Sequence, residues 1–216
     1  MFGKSLTVDD KELKSVASAA RIAAAPTYGE VEFIEKLKVG DAEAFEVLVH
    51  RYSADIYALL CRLTGDLDEA SDLTQDTFLR SLKAVGGFRG DASLKTWLFR
   101  IAVNESRNRY RWWKRRHRDH TVSLDHKVGD SDQTVQESIP CAASSPEDDA
   151  LRRERERLMQ SALMELPDVY REAVVLFDIE GFSYEQISQT LEISLGTVKS
   201  RIARGREELR KKLKDF

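Results

Sequence analysis

Phe182 to Phe216 reads FSYEQISQTLEISLGTVKSRIARGREELRKKLKDF, and this stretch decides the fold. Ser183 can accept from the backbone N–H groups that open a helix while Gln186, three residues on, reaches back, so the stretch begins with a capping box. Ile187 and Leu191 lie four apart on one face. After the Glu192-Ile193 step Ser194 caps again, and Val198 and Ile202 repeat the four-residue apolar spacing of a second packed helix. A helix-turn-helix with one small shared core is predicted. The second helix leaves Ser194, Leu195, Gly196, Thr197, Lys199, Ser200, Arg201 and Arg204 off its apolar seam. Small side chains let such a helix approach a major groove, cations meet phosphate, and the helix N-terminus favours anions. A helical hairpin with a solvated basic face is the competing reading. Glu192 stands where such turns commonly carry Gly, and a left-handed Glu there costs about 1–2 kcal/mol.

Outward from this stretch, the 216 residues are 42% apolar and 33% charged, enough for two small cores or one large one. With 4 Pro and 11 Gly the chain favours helices. The Ala-rich run from Ala17 to Ala25 is interrupted by Arg21 and no run approaches a membrane span, so no membrane insertion, no secretory signal and a cytoplasmic protein are expected. Cys61 falls in an apolar helical pattern and Cys141 in a polar segment, so two free thiols are expected rather than a disulfide. His117, His120 and His126 with Cys141 match no compact ligand spacing, so neither a metal nor a cofactor is expected.

The net charge of −3 conceals segregation. Arg107 to Arg118 holds seven cations and no acid, whereas Asp125 to Asp149 is acidic with Lys127 its sole Lys or Arg. Partners are therefore read by segment.

Residues 1–29 lack sustained periodicity and read as a mobile extension. Val31, Ile34 and Leu37 mark a short helix from Glu30 to Val39, ending at Gly40. Asp41 caps a helix with Ala44, Phe45, Leu48, Val49, Tyr52, Ile56, Leu59, Leu60 and Leu63 inward, and Gly65 stops it. Asp66 with Glu69 starts another, with Ala70, Leu73, Thr77, Phe78 and Leu82 inward and Gly86-Gly87 at its end. Its outer face carries Asp68, Asp72, Gln75, Asp76 and Arg80, either a solvated surface or a dock for a basic partner.

Ser93 caps a helix in which Leu94, Trp97, Leu98, Ile101 and Ala102 form the buried face. Beside them Arg100, Asn104, Arg107 and Arg111 form a stripe. Cations with Asn, Tyr110, Trp112 and Trp113 interleaved suit a surface that engages unpaired bases, the alternative being a basic helix for a membrane or an acidic protein. His120 to Ser145 reads as a linker, and at about 3.3 Å per residue its reach is at most roughly 85 Å. Ser145 and Pro146 open a further helix, with Leu151, Leu158, Ala162, Leu163 and Leu166 inward, that Pro167 breaks. Asp168 to Ile179, with Ala173, Val174, Leu176 and Phe177 apolar, leads through Gly181 into the opening motif.

Four blocks stand in this order: DLTQDTFLRSLKAVGGFRG, TWLFRIAVNESRNRYR, ELPDVYREAVVLFDIEGFSYEQIS and GTVKSRIARGREEL. On these the chain resembles a bacterial RNA polymerase sigma factor of the extracytoplasmic-function group. The resemblance implies an all-α chain of two small helical domains, region 2 at 30–118 and region 4 at 146–216, joined by a flexible acidic linker at 119–145. It implies that Asp72, Gln75, Asp76 and Phe78 grip the β′ clamp helices of core RNA polymerase. Phe88, Arg89 and Asn104 would open the minus 10 element and hold a flipped base, and Arg107 and Arg111 would follow the melted strand. Thr197, Lys199, Ser200, Arg201 and Arg204 would enter the minus 35 major groove of promoter DNA. Further implied partners are the polymerase β flap and an anti-sigma factor, and no chemistry of the chain's own is implied. Two competitors remain open at this point. A helix-turn-helix regulator without polymerase would not need the acid-amide face at Asp72, and a recombinase-like enzyme would need a nucleophile or a metal-binding carboxylate set.

Overall fold

The computed structural model describes residues 28–116 and 146–214, and every regular element among them is helical. Residues 1–27 of the extension expected at 1–29, the 119–145 linker, the Ser145 cap, Cys141 and the three histidines from His117 to His126 lie outside the described residues, while Tyr28 and Gly29 open the first helix.

The first half is built on α1 (Tyr28–Lys38), α2 (Ala42–Thr64), α3 (Leu67–Ala84) and α4 (Leu94–Arg116), with a 3-10 turn at Val85–Gly87. The expected caps are in place. Asp41 Oδ1 accepts from Ala44 N at 2.9 Å, Asp66 Oδ1 from Glu69 N at 2.8 Å, and Ser93 Oγ from Thr96 N at 3.1 Å. Gly65 ends α2 at φ 74, a left-handed turn that only Gly enters without strain.

Two expected core positions of this half face outward. Val31 is 52% exposed, because Phe33, Ile34 and Leu37 form the inward face of α1 and six positions turn Val31 about 120° away from Leu37. Leu82 is exposed because Ser81 takes the inward seat, its hydroxyl donating to Phe78 O at 2.8 Å.

The second half comprises α5 (Pro146–Met164), α6 (Asp168–Val174), α7 (Tyr184–Leu191) and α8 (Leu195–Lys214). Leu158 is half-buried and Ala162, Leu163 and Leu166 are buried, but Leu151 is exposed. From Leu151 to Arg157 the described side chains of α5 all face solvent, so this stretch of the helix lies off the core. The single helix expected from Asp168 to Ile179 changes character at Val175, where a π-helical turn runs to Ile179 and Glu180 N–H bonds Val175 O at 3.0 Å. That wide turn leads into Gly181 and sends Phe177 against Tyr184, the rings stacked 4.9 Å apart. Beyond it Ser183 and Gln186 form the capping box, with both reciprocal bonds present. Glu192 is left-handed at φ 56 and ψ 46, and the hairpin is tied across it by Ser188 Oγ donating to Ile193 O at 2.6 Å. Ser194 Oγ then accepts from Thr197 N, opening α8.

The halves lie against each other rather than at the separation the linker permits. Their buried residues form one contiguous core, with α7 on α4 and α5 on α2. Phe99, fully buried, meets Phe182 with ring centroids 4.9 Å apart. Polar bonds accompany this contact: Arg62 to Glu180 at 3.0 Å, Gln160 Nε2 to Cys61 O at 2.9 Å, and Arg107 to Glu172. No described helix is long and apolar enough to cross a membrane.

Candidate nucleic-acid interface

Three of the sequence-derived clusters have distinct fates. On α3, Asp72 and Gln75 are exposed and Asp76 is half exposed, paired with Arg109 at 3.3 Å. Phe78 does not join them. It is 6% exposed in the core, on the face of Leu73, Thr77 and Ser81. Helical spacing from Asp72 runs through Gln75 and Asp76 to residue 79, and Leu79 is 56% exposed there. The apolar member of this outward stripe is therefore Leu79, a residue the sequence reading passed over although the i, i+3, i+4, i+7 rule points to it.

The loop between α3 and α4 and the start of α4 surround a cleft of about 280 Å³, lined by Gly87, Phe88, Arg89, Trp97 and Arg100 and bounded on the far side by Gln189 of α7. Phe88 is buried and tilted against Trp97, centroids 5.3 Å apart, so it forms the floor of the cleft. Arg89 is exposed and Asn104 half-buried. Arg111 donates to Asn108 Oδ1 at 2.7 Å and to Arg107 O at 3.3 Å, holding its guanidinium along the helix. Arg107 is engaged differently: Nε and Nη2 donate to Glu172 Oε1 and Oε2 at 2.7 and 2.5 Å. That hydrogen bonding raises the Arg107 pKa further, against the opposing effect of burial. Past this point Tyr110, Trp112 and Trp113 are exposed rings, with Lys114 over Tyr110 and Arg116 over Trp112. Sequence-tolerant stacking on single strands uses this combination.

On α8 the five candidates divide. Thr197, Ser200, Arg201 and Arg204 follow i, i+3, i+4, i+7 and form one outward flank, with Ser200 Oγ donating to Thr197 O at 2.9 Å. Lys199 projects from the other flank over the Tyr184 ring, 5.6 Å from its centroid. Two flanks of one helix, both cationic, suit the two phosphate walls of a groove. Nearby Arg206 is bidentate to Asp178 and lies over Phe177.

Cys61 is a half-buried free thiol whose pKa burial pushes up, and neighbouring Tyr57 is pushed up to about 12 by burial. A thiol held protonated is a poor nucleophile. Among the described residues no group of His, Cys, Asp and Glu is placed to hold a metal ion.

Comparison with known proteins bears on what these surfaces serve. The sigma-70 region 2 family model matches residues 48–117, and the sigma-70 region 4 model matches 156–209. The RNA polymerase sigma-H factor of Pseudomonas aeruginosa is 36% identical over 189 residues, covering 84% of this chain and 92% of that protein. The extracytoplasmic-function (ECF) sigma factor SigW of Bacillus subtilis is 37% identical over 184 residues, covering 85% and 96%. The chain belongs to the ECF sigma factors of RNA polymerase. As a member of that family it is a transcription initiation factor whose region 2 is the first half and whose region 4 is the second. Among solved structures it is similar to the sigma factor RpoE from Bartonella quintana in complex with the anti-sigma factor NepR, with TM-score 0.62 and 26% identity over 80% of this chain and 98% of that one. It is also similar to CnrH in complex with the cytosolic domain of CnrY, with TM-score 0.59 and 25% identity over 84% and 94%.

Proposed function

We propose that this sigma factor divides polymerase binding and promoter recognition between three surfaces, and that it acts in the cytoplasm without chemistry of its own. The outward stripe of Asp72, Gln75, Asp76 and Leu79 docks on the β′ clamp helices of core RNA polymerase, acids and amide meeting basic groups around one apolar anchor. The cleft above Phe88, with Arg89 at its rim and Asn104 beside it, receives a base extruded from the minus 10 element, and Arg107 and Arg111 track the phosphates of the melted strand. Thr197, Ser200, Arg201 and Arg204 read the minus 35 major groove while Lys199 neutralises a phosphate on the opposite wall. Region 4 also engages the β flap. Residues 119–145 serve as the tether between domains 30–118 and 146–216, and an anti-sigma factor controls access to both.

The observation that carries this reading is an aromatic-floored cleft lined by Arg100, the residue from which the α4 stripe continues through Asn104, Arg107 and Arg111. An anti-sigma partner is supported by the relation to RpoE, solved with NepR. Asn104→Ala tests the central assignment. Promoter opening, followed by permanganate reactivity of unpaired thymines, is expected to fall roughly 5- to 150-fold, the scale of one lost base contact of about 1–3 kcal/mol. Polymerase binding is expected to stay unchanged, and equal loss of both would remove Asn104 from base recognition.

A further inference from the structure

Arg107 belongs to the stripe of α4 assigned to the melted strand, yet in this structure its fork is already filled. Nε and Nη2 grip the two oxygens of Glu172 at 2.7 and 2.5 Å, a bidentate geometry that matches the way a guanidinium grips phosphate. Glu172 comes from α6, 65 positions along the chain, and its side chain is 8% exposed. An acid so placed is held by its partner, because leaving it buried and alone is costly. The surrounding contacts repeat the pattern. Glu180, 9% exposed, meets Arg62 at 3.0 Å, Gln186 Nε2 reaches Thr96 Oγ1 at 3.4 Å, and Gln189 closes the cleft that Arg89 and Arg100 line. Region 4 therefore covers the strand-binding face of region 2.

We propose that Glu172 is an internal competitor of promoter phosphate: it latches region 4 over the strand-binding face of region 2, so that the isolated chain is closed to single-stranded DNA until the two domains part. This rests on the assignment of Arg107 to the melted strand. The latch is a two-state element, and apparent affinity for a strand falls with the fraction of open chain. Glu172→Gln keeps the shape and one acceptor oxygen but removes the charge that competes with phosphate.

The experiment compares the full-length chain, Glu172→Gln, Arg107→Gln and the double variant. Hydrodynamic radius is measured, together with binding of a short fluorescein-labelled single-stranded oligodeoxynucleotide of mixed sequence, followed by anisotropy. Glu172→Gln is expected to enlarge the radius and to tighten binding roughly tenfold through the larger open fraction. Adding Arg107→Gln to it is expected to abolish that gain. If Glu172→Gln neither expands the chain nor tightens binding while Arg107→Gln still weakens it, the latch is overturned and the strand assignment stands. If Arg107→Gln leaves binding unchanged in both backgrounds, the strand assignment itself fails. Should Glu172→Gln lose its circular dichroism, Glu172→Asp serves in its place. Its carboxylate is one methylene too short for both bonds, and the same expansion and tighter binding are expected, their absence again overturning the latch.

Discussion

A Cβ on Gly205 would lie 2.5 Å from Cγ2 of Val174 and 3.3 Å from Tyr170 O, so α8 crosses α6 at a distance that no larger residue permits. The contact fixes how closely the second helix of the helix-turn-helix packs on α6, with Val198 and Ile202 buried a turn or two before it.

Gly205→Ala should therefore destabilise the chain by about 1–3 kcal/mol in denaturant unfolding, through overpacking against a β-branched side chain that is itself buried. In an open helix the same change would stabilise by about 1 kcal/mol. The sign alone decides: a more stable variant would mean that α6 and α8 do not approach this closely.

Glu192 is the one non-glycine residue with positive φ among the described residues. Glu192→Gly should raise stability by about 1 kcal/mol, since relief of left-handed strain outweighs the extra freedom of Gly in the unfolded chain. Loss of stability would show that the freedom Gly adds to the unfolded chain outweighs the left-handed strain at Glu192.

Burial raises the pKa of Glu180 above the ordinary carboxylate value, opposed by Arg62 and Lys95 and reinforced by Asp55. A raised acid binds its proton more tightly in the folded state. Its stabilising share is complete below the unfolded pKa of about 4.3 and is lost as the pH rises through the folded value. At neutral pH Glu180→Gln should then match or exceed the parent by up to about 1 kcal/mol, because Gln offers Arg62 an oxygen without a buried charge. Near pH 4 the two should converge. A neutral-pH loss above about 1 kcal/mol would show that the Arg62 pair outweighs desolvation.

Lys199→Ala should weaken binding to minus 35 duplex and lower the slope of log affinity against log salt by about 1, the signature of one phosphate contact. An unaltered slope would leave Lys199 as a cap on Tyr184 rather than a DNA contact.

Much of the fold was legible because caps and apolar spacing are local. The Ser183–Gln186 box, Asp41, Asp66 and Gly65 each behave as their neighbours in sequence require. What escaped the reading depends on distant partners. Gly205 reads as an ordinary weak helix residue until Val174 is brought beside it. Glu172 reads as a surface acid until Arg107 meets it, and the π turn at Val175 has no local signature. Within the site, the Arg100 to Arg111 stripe needed only helical periodicity, as did the stripe from Asp72. Periodicity also put Phe78 inward, where it lies; the clamp-gripping role that the resemblance implied for it does not suit a buried ring, and the exposed apolar residue on that face is Leu79.

The most direct measurement is run-off transcription from a genomic promoter library with purified core RNA polymerase, with and without this protein. The account predicts specific transcripts that appear only when the protein is present, with two recurring upstream elements at a fixed spacing. A folded protein that shifts duplex DNA yet neither binds core polymerase nor starts any new transcript would contradict it.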